Sequence, residues 1–204
     1  SYRFYRSTDD GATWTSKATP GEAADDIVKL YAANLADTND IWAVYFDVSA
    51  NQISLKTYDD SANSWSEDMI SSAGGITEST THPWAAFDAA VRHSDGHLLL
   101  AYWSSFDTAG SDLVTWDITD GSSMTQMTDY STNFDDMGYV AVFINQQNDD
   151  VYIAQFGNDA GTDIAGTSWG AYYKVSTDGM STWGSQTTYL ASEDDHRGIS
   201  AGHS

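Results

Sequence analysis

Three apolar runs recur along the chain, each apolar at both alternating positions. They are Ile41-Trp42-Ala43-Val44-Tyr45-Phe46, Leu98-Leu99-Leu100-Ala101-Tyr102-Trp103 and Val151-Tyr152-Ile153-Ala154-Gln155-Phe156, and they start 57 and then 53 residues apart. A polar turn precedes each, at 37–40, 94–96 and 148–150. A strand that is apolar on both faces is buried on both, so each run is expected in a sheet held between two neighbouring sheets. No helical period of any length occurs. Turn residues return every 8–12 positions, and the stretches between are rich in Val, Ile, Tyr, Trp and Phe, the pattern of an all-β protein. Each run has one strand before it (27–33, 84–92, 139–145) and one after it (53–58, 112–118, 169–176), followed by a turn and a short fourth strand. A four-stranded antiparallel unit repeating every 50–60 residues predicts the blades of a β-propeller. A two-sheet sandwich is the alternative.

On this reading residues 1–204 form a single β-propeller piece. Residues 1–20 are the outer strands of one blade, 21–75, 76–132 and 133–191 are three blades, and 192–204 start a further one. The chain opens in mid-strand at Tyr2-Arg3-Phe4-Tyr5, which points to a processed or excised piece. About three and a half blades do not close a ring, so the remainder is expected from a longer polypeptide or from other chains.

The turns carry the most specific signal. Ser7-Thr8-Asp9-Asp10-Gly11-Ala12-Thr13-Trp14 reads Ser-x-Asp-x-Gly-x-Thr-Trp. Ser7 and Asp9 can bond to the turn backbone, Gly11 permits positive φ, and Thr13 and Trp14 start the returning strand. Echoes follow. One runs from Thr57 through Asp59 to Trp65 with one extra residue. Another runs over Ser176, Asp178, Thr182 and Trp183, with Met180 where Gly is expected. A weaker one at 117–124 has no Trp. These motifs resemble the Asp-box, or BNR repeat, of the sialidase-like β-propeller superfamily, and the resemblance covers the whole chain. It implies a larger ring of six or seven blades and a structural role for the Asp-box residues.

Net charge is −22, and 26 of the 30 acids are Asp. A nucleic-acid surface needs Lys and Arg and is excluded. No apolar run is long enough to cross a membrane as a helix. With 41% hydrophobic and 13% aromatic residues the chain packs rather than stays disordered. The absence of Cys removes disulfides, thiolate metal sites and a Cys nucleophile. The excess acid serves solubility in salty water or the binding of cations.

The junctions from the fourth strand of one blade to the first of the next align as Ala24-Asp25-Asp26, Phe134-Asp135-Asp136 and Glu193-Asp194-Asp195, with Thr81-His82-Pro83 breaking the pattern. Such junctions lie around the axis of a propeller. Asp25, Asp26, Asp135, Asp136, Asp194 and Asp195 would ring the channel mouth with oxygen ligands suited to Ca²⁺, or they simply cap tight strand starts. His82, His196 and Arg197 fall at the same mouth and are the catalytic candidates, a His beside carboxylates being a general base or a metal ligand. His93 and His97, flanking a hairpin elsewhere, read as surface residues.

The resemblance implies, for a sialidase, an arginine triad, a Tyr nucleophile helped by a Glu, and an Asp acid/base. Only Arg3, Arg6, Arg92 and Arg197 are present, Arg3 and Arg6 are expected on an outer strand far from the axis, and no Arg-Ile-Pro motif occurs. Asp194-Asp195-His196 is also similar to blade starts in Asp-box polysaccharide lyases. Two functions therefore stay open. One is an extracellular, cell-surface or virion propeller that binds glycans or protein partners through its axial face, with or without Ca²⁺. The other is a sialidase-like glycoside hydrolase or polysaccharide lyase with part of its site outside these residues.

Overall fold

The computed structural model describes residues 2–21, 27–32, 40–50, 52–70, 87–103, 113–120, 123–127, 136–158 and 169–193. All regular structure among them is β. A short hairpin, β1 (Tyr5–Arg6) and β2 (Thr15–Ser16), comes first. Three antiparallel meanders of four strands follow. Sheet I holds β3 (Ile27–Ala32), β4 (Ile41–Asp47), β5 (Gln52–Asp59) and β6 (Ser64–Met69). Sheet II holds β7 (Phe87–Val91), β8 (Leu98–Trp103), β9 (Leu113–Asp120) and β10 (Ser123–Gln126). Sheet III holds β11 (Asp136–Asn145), β12 (Asp150–Asn158), β13 (Trp169–Ser176) and β14 (Thr187–Glu193).

The doubly apolar runs explain how the sheets stack. Every residue of β8 is buried. Leu98, Leu100 and Tyr102 pack with Trp42, Val44, Phe46, Ile53 and Leu55 of sheet I. The alternate residues Leu99, Ala101 and Trp103 pack with Val140, Val142, Ile144, Val151 and Ile153 of sheet III. Sheet II is thus the filling between two layers, and a fully buried Leu in it is worth roughly 1.5–3 kcal/mol over an exposed one. The first strands of successive sheets touch, β3 with β7 and β7 with β11. Face-to-face sheets that converge on their first strands are propeller blades, and β3, β7 and β11 form the inner wall.

The β1–β2 hairpin covers the other face of sheet I. The Phe4 ring meets Tyr58 and Trp65 edge-on at 4.9 and 5.4 Å. Trp65 Nε1 donates to Ala18 O at 2.8 Å, and Arg6 and Lys17 both pair with Asp60. Arg6 also lines a groove of about 440 Å³ with Leu30 and Tyr31 of the inner strand β3.

The turns differ in construction. In the first, Ser7 Oγ donates to Asp9 Oδ1 (2.8 Å), Gly11 N to Ser7 Oγ (2.8 Å), Thr13 N to Asp9 Oδ1 (2.8 Å) and Thr13 Oγ1 to Asp9 Oδ2 (2.6 Å). Ser176, Met180, Asp178 and Thr182 make the same four bonds at 2.8, 2.8, 2.9 and 2.6 Å. The turn after β5 is built otherwise. Asp59 Oδ1 accepts from Ser61 Oγ and Ala62 N, Asn63 takes φ 51°, and Trp65 bonds outside the turn. Asp117, the first residue of the weakest echo, lies within β9 and, among the described residues, pairs with Arg92 and His97.

Candidate functional site

The inner strands β3 and β7 carry one charge each, Lys29 and Asp88. Lys29 of β3 pairs with Val44, and Asp88 of β7 pairs with Ala101, each partner the fourth residue of its second strand. The two charges therefore sit at matching heights in neighbouring blades. Lys29 Nζ donates to Phe87 O (2.5 Å) and lies 3.5 Å from Asp88 Oδ1. Tyr31 Oη donates to the same oxygen at 3.4 Å and accepts from Ala89 N at 3.2 Å. On its far side Asp88 Oδ2 accepts from Val142 N of β11 at 2.9 Å. One carboxylate thus ties the inner strands of three blades.

The surroundings tune these groups. Burial lowers the Lys29 ammonium from its usual range, and the Asp88 charge only partly restores it. Burial, with the Asp88 charge second, pushes the Tyr31 phenol far above its usual value. The Lys29 and Asp88 side chains keep 29% and 26% exposure, so solvent reaches the cluster. A half-exposed carboxylate, ammonium and phenol on the inner wall of a propeller can bond to hydroxyl groups.

A second polar cluster lies at the hairpin between β7 and β8. Arg92 Nε donates to both oxygens of Asp95 at 3.0 Å, and its Nη2 lies 3.4 Å from Asp117 Oδ2. His97 Nδ1 lies 2.6 Å from Asp117 Oδ1. Burial opposes the Asp95 charge, but the bonds from Arg92 and the His97 N–H hold its carboxyl below the usual range. His93 is exposed, whereas His97 is half-buried in this network rather than at the surface. Gln146 fastens the hairpin to sheet III by accepting from His93 N (2.8 Å) and donating to Val91 O (3.0 Å). The charged pairs lie within sheet II, and Gln146 makes the clasp to blade III.

Tyr45 Oη donates to Glu67 Oε1, a tyrosine–glutamate pair. Tyr45 is 2% exposed and lies under Lys56, whose Nζ reaches Pro20 O. Glu67 belongs to the fourth strand β6, so the pair lies away from the inner strand of its sheet.

Asp25, Asp26, Asp135, Asp194, Asp195, His82, His196 and Arg197 lie outside the described residues. Asp136 begins β11, its side chain likewise outside them. Among the described residues no group of three His, Asp or Glu side chains could hold a metal. Sequence reasoning did not single out the Asp88 cluster. The visible signal for it was a single charge in each of two otherwise apolar first strands.

No protein-family model and no curated protein matches the chain. Among solved structures it is similar to a mutant of the α-L-arabinofuranosidase from Fusarium graminearum, determined with an iminosugar inhibitor. The TM-score is 0.52 at 16% identity, over 91% of this chain and 57% of that one. The chain thus spans little more than half the length of that protein. At this identity the likeness is one of fold: a β-propeller of four-stranded blades shared with a carbohydrate-active enzyme.

Proposed function

We propose that the chain belongs to an Asp-box propeller, extracellular or surface-borne, that binds glycans through its axial face, with residues 21–75, 76–132 and 133–191 as its complete blades. The observation that carries this reading is the fold shared with an arabinofuranosidase. Two further features support it. The matched bonds of the 7–13 and 176–182 turns suit the Asp-box resemblance. The Asp88–Lys29–Tyr31 cluster offers both donors and acceptors on the inner wall, which is what sugar hydroxyls require. A glycan array read with wild type and Asp88→Asn tests it. The expected result is a bound saccharide whose signal falls in the variant. No saccharide bound at any concentration refutes it.

The second reading, a glycoside hydrolase, is favoured by the activity of the structural neighbour, an arabinofuranosidase. Most glycoside hydrolases use two carboxyl groups across the sugar. Asp88 is one axial carboxylate, and a second would come from Asp25, Asp26, Asp135, Asp136, Asp194 or Asp195. Release of nitrophenol from a nitrophenyl α-L-arabinofuranoside distinguishes hydrolysis from binding alone.

A further inference from the structure

The chain has four lysines, Lys17, Lys29, Lys56 and Lys174. Lys29 is the most open to solvent. Its side chain keeps 29% exposure, against 22% for Lys17 and 11% for Lys56, and Lys174 is buried. It sits at the junction of sheets I and II, each with all four strands described. Its Nζ donates to Phe87 O, and Asp88 Oδ1 lies 3.5 Å away. Burial lowers the Lys29 ammonium from its usual range, so more of it is neutral amine at a given pH than in a solvated lysine. Partly desolvated lysines are the ones that attack carbonyl carbons and form imines.

We propose that Lys29 is a modification site for reducing sugars and other α-hydroxyaldehydes, with Asp88 as the base that fixes the adduct. The Nζ lone pair adds to the aldehyde carbon, and the carbinolamine loses its oxygen as water to leave an imine. Asp88 then takes the proton from the adjacent, hydroxyl-bearing carbon, and the electron pair of that bond moves toward nitrogen. The enaminol so formed gains a proton at the former aldehyde carbon and loses its hydroxyl proton. The product is a ketoamine, and amine plus sugar give ketoamine plus water with no outside oxidant or reductant. The carbon that loses its proton is two bonds from Nζ, so a carboxylate 3.5 Å from Nζ reaches it directly or through one water. Lys17 and Lys56 also have carboxylates, at 3.4 and 3.5 Å. Asp60 beside Lys17 is a poorer base, because the bond from Arg6 holds its carboxyl below the usual range. Lys56 is the less accessible amine. The reaction needs no glycan recognition, since a small aldehyde reaches an amine that solvent reaches.

Incubation with D-ribose and peptide mapping by mass spectrometry test both steps. With cyanoborohydride present, which reduces and so traps the imine, Lys29 should be labelled ahead of the other three lysines. Without it, ketoamine should accumulate first at Lys29. Asp88→Asn removes the charge that favours the ammonium, so trapping at Lys29 should persist or quicken, while ketoamine there falls to the rate at Lys17. A merely structural loss would lower both. Far-UV circular dichroism verifies that the variant keeps its sheets, and the wild-type ranking decides the site without it. Trapping led by Lys17, Lys56 or Lys174 overturns the site, and unchanged ketoamine formation in folded Asp88→Asn overturns the role of Asp88.

Discussion

Gly11 and Met180 occupy the same position in two turns that share four hydrogen bonds. Both are left-handed, with φ 87° and 70°. Gly11 is there because it has no Cβ to strain. Met180 has one, yet its side chain is 0% exposed and packs in the core between sheets II and III. Burial of a methionine offsets a backbone conformation that costs a non-glycine residue about 1 kcal/mol or more.

Substitution at Met180 should therefore invert the usual order of alanine and glycine. Met180→Ala loses about 2–5 kcal/mol through the cavity and keeps the strain. Met180→Gly makes the same cavity but relieves the strain, and should be the more stable of the two by about 1 kcal/mol. Urea unfolding of both variants measures the difference. Alanine above glycine would mean that the turn is not strained at Met180.

The same turns set an acid limit. Hydrogen bonds from Thr13, side chain first, hold the Asp9 carboxyl down at about 2, from an ordinary value of 3.8. Thr182 likewise holds Asp178 low. A carboxyl depressed in the folded state stabilises the fold above its unfolded value and ceases to do so as pH falls through the folded one. The first turn should thus keep its contribution at pH 4 and lose it between about 3.8 and about 2, and the Asp178 turn should weaken in the same direction. Titration of Asp9 by NMR, beside unfolding of Asp9→Asn across that range, shows whether wild type and variant converge at the acid end.

Asp88→Ala should loosen the inner wall. It leaves the Val142 N–H and the half-buried Lys29 ammonium without their carboxylate, a loss of about 2 kcal/mol. Asp88→Asn keeps an acceptor and should lose less. Hydrogen exchange at Val142 reports the effect locally, and an unchanged rate in Asp88→Ala would show that the tie is not made.

Salt should stabilise the fold itself. Arg6, Lys17, Lys29, Lys56 and Arg92 are each paired with a carboxylate, while the chain carries 30 acids. Self-repulsion of the surplus is screened by ions. The melting temperature should rise steadily from about 0.05 M to about 2 M NaCl. A flat profile would mean that the surplus carboxylates repel each other little.

How far the sequence could be read depends on the range of the interaction. The sandwiching of β8 was legible because Leu98–Trp103 is apolar at both alternating sets of positions, which states that both faces are dry. The Ser-x-Asp and Thr positions of the two matched turns were legible because all their bonds are local. The Asp88 cluster was not, since the match of Lys29 to Asp88 depends on how two sheets stagger, 59 residues apart. Asp117 looked like the remnant of a turn, and only the fold shows that it faces His97 and Arg92. The echo around Asp59 kept a turn but not its network, because Asp59 takes its bonds from Ser61 and Ala62, two and three residues on, rather than from a Thr four residues on.

The most direct test of the axial site is hydrogen exchange with and without the saccharide that the array selects. Slowed exchange along β3, β7 and β11, around Lys29, Asp88 and Val142, is the predicted result. Protection confined to the outer strands β6, β10 and β14 or to the β1–β2 hairpin would contradict it.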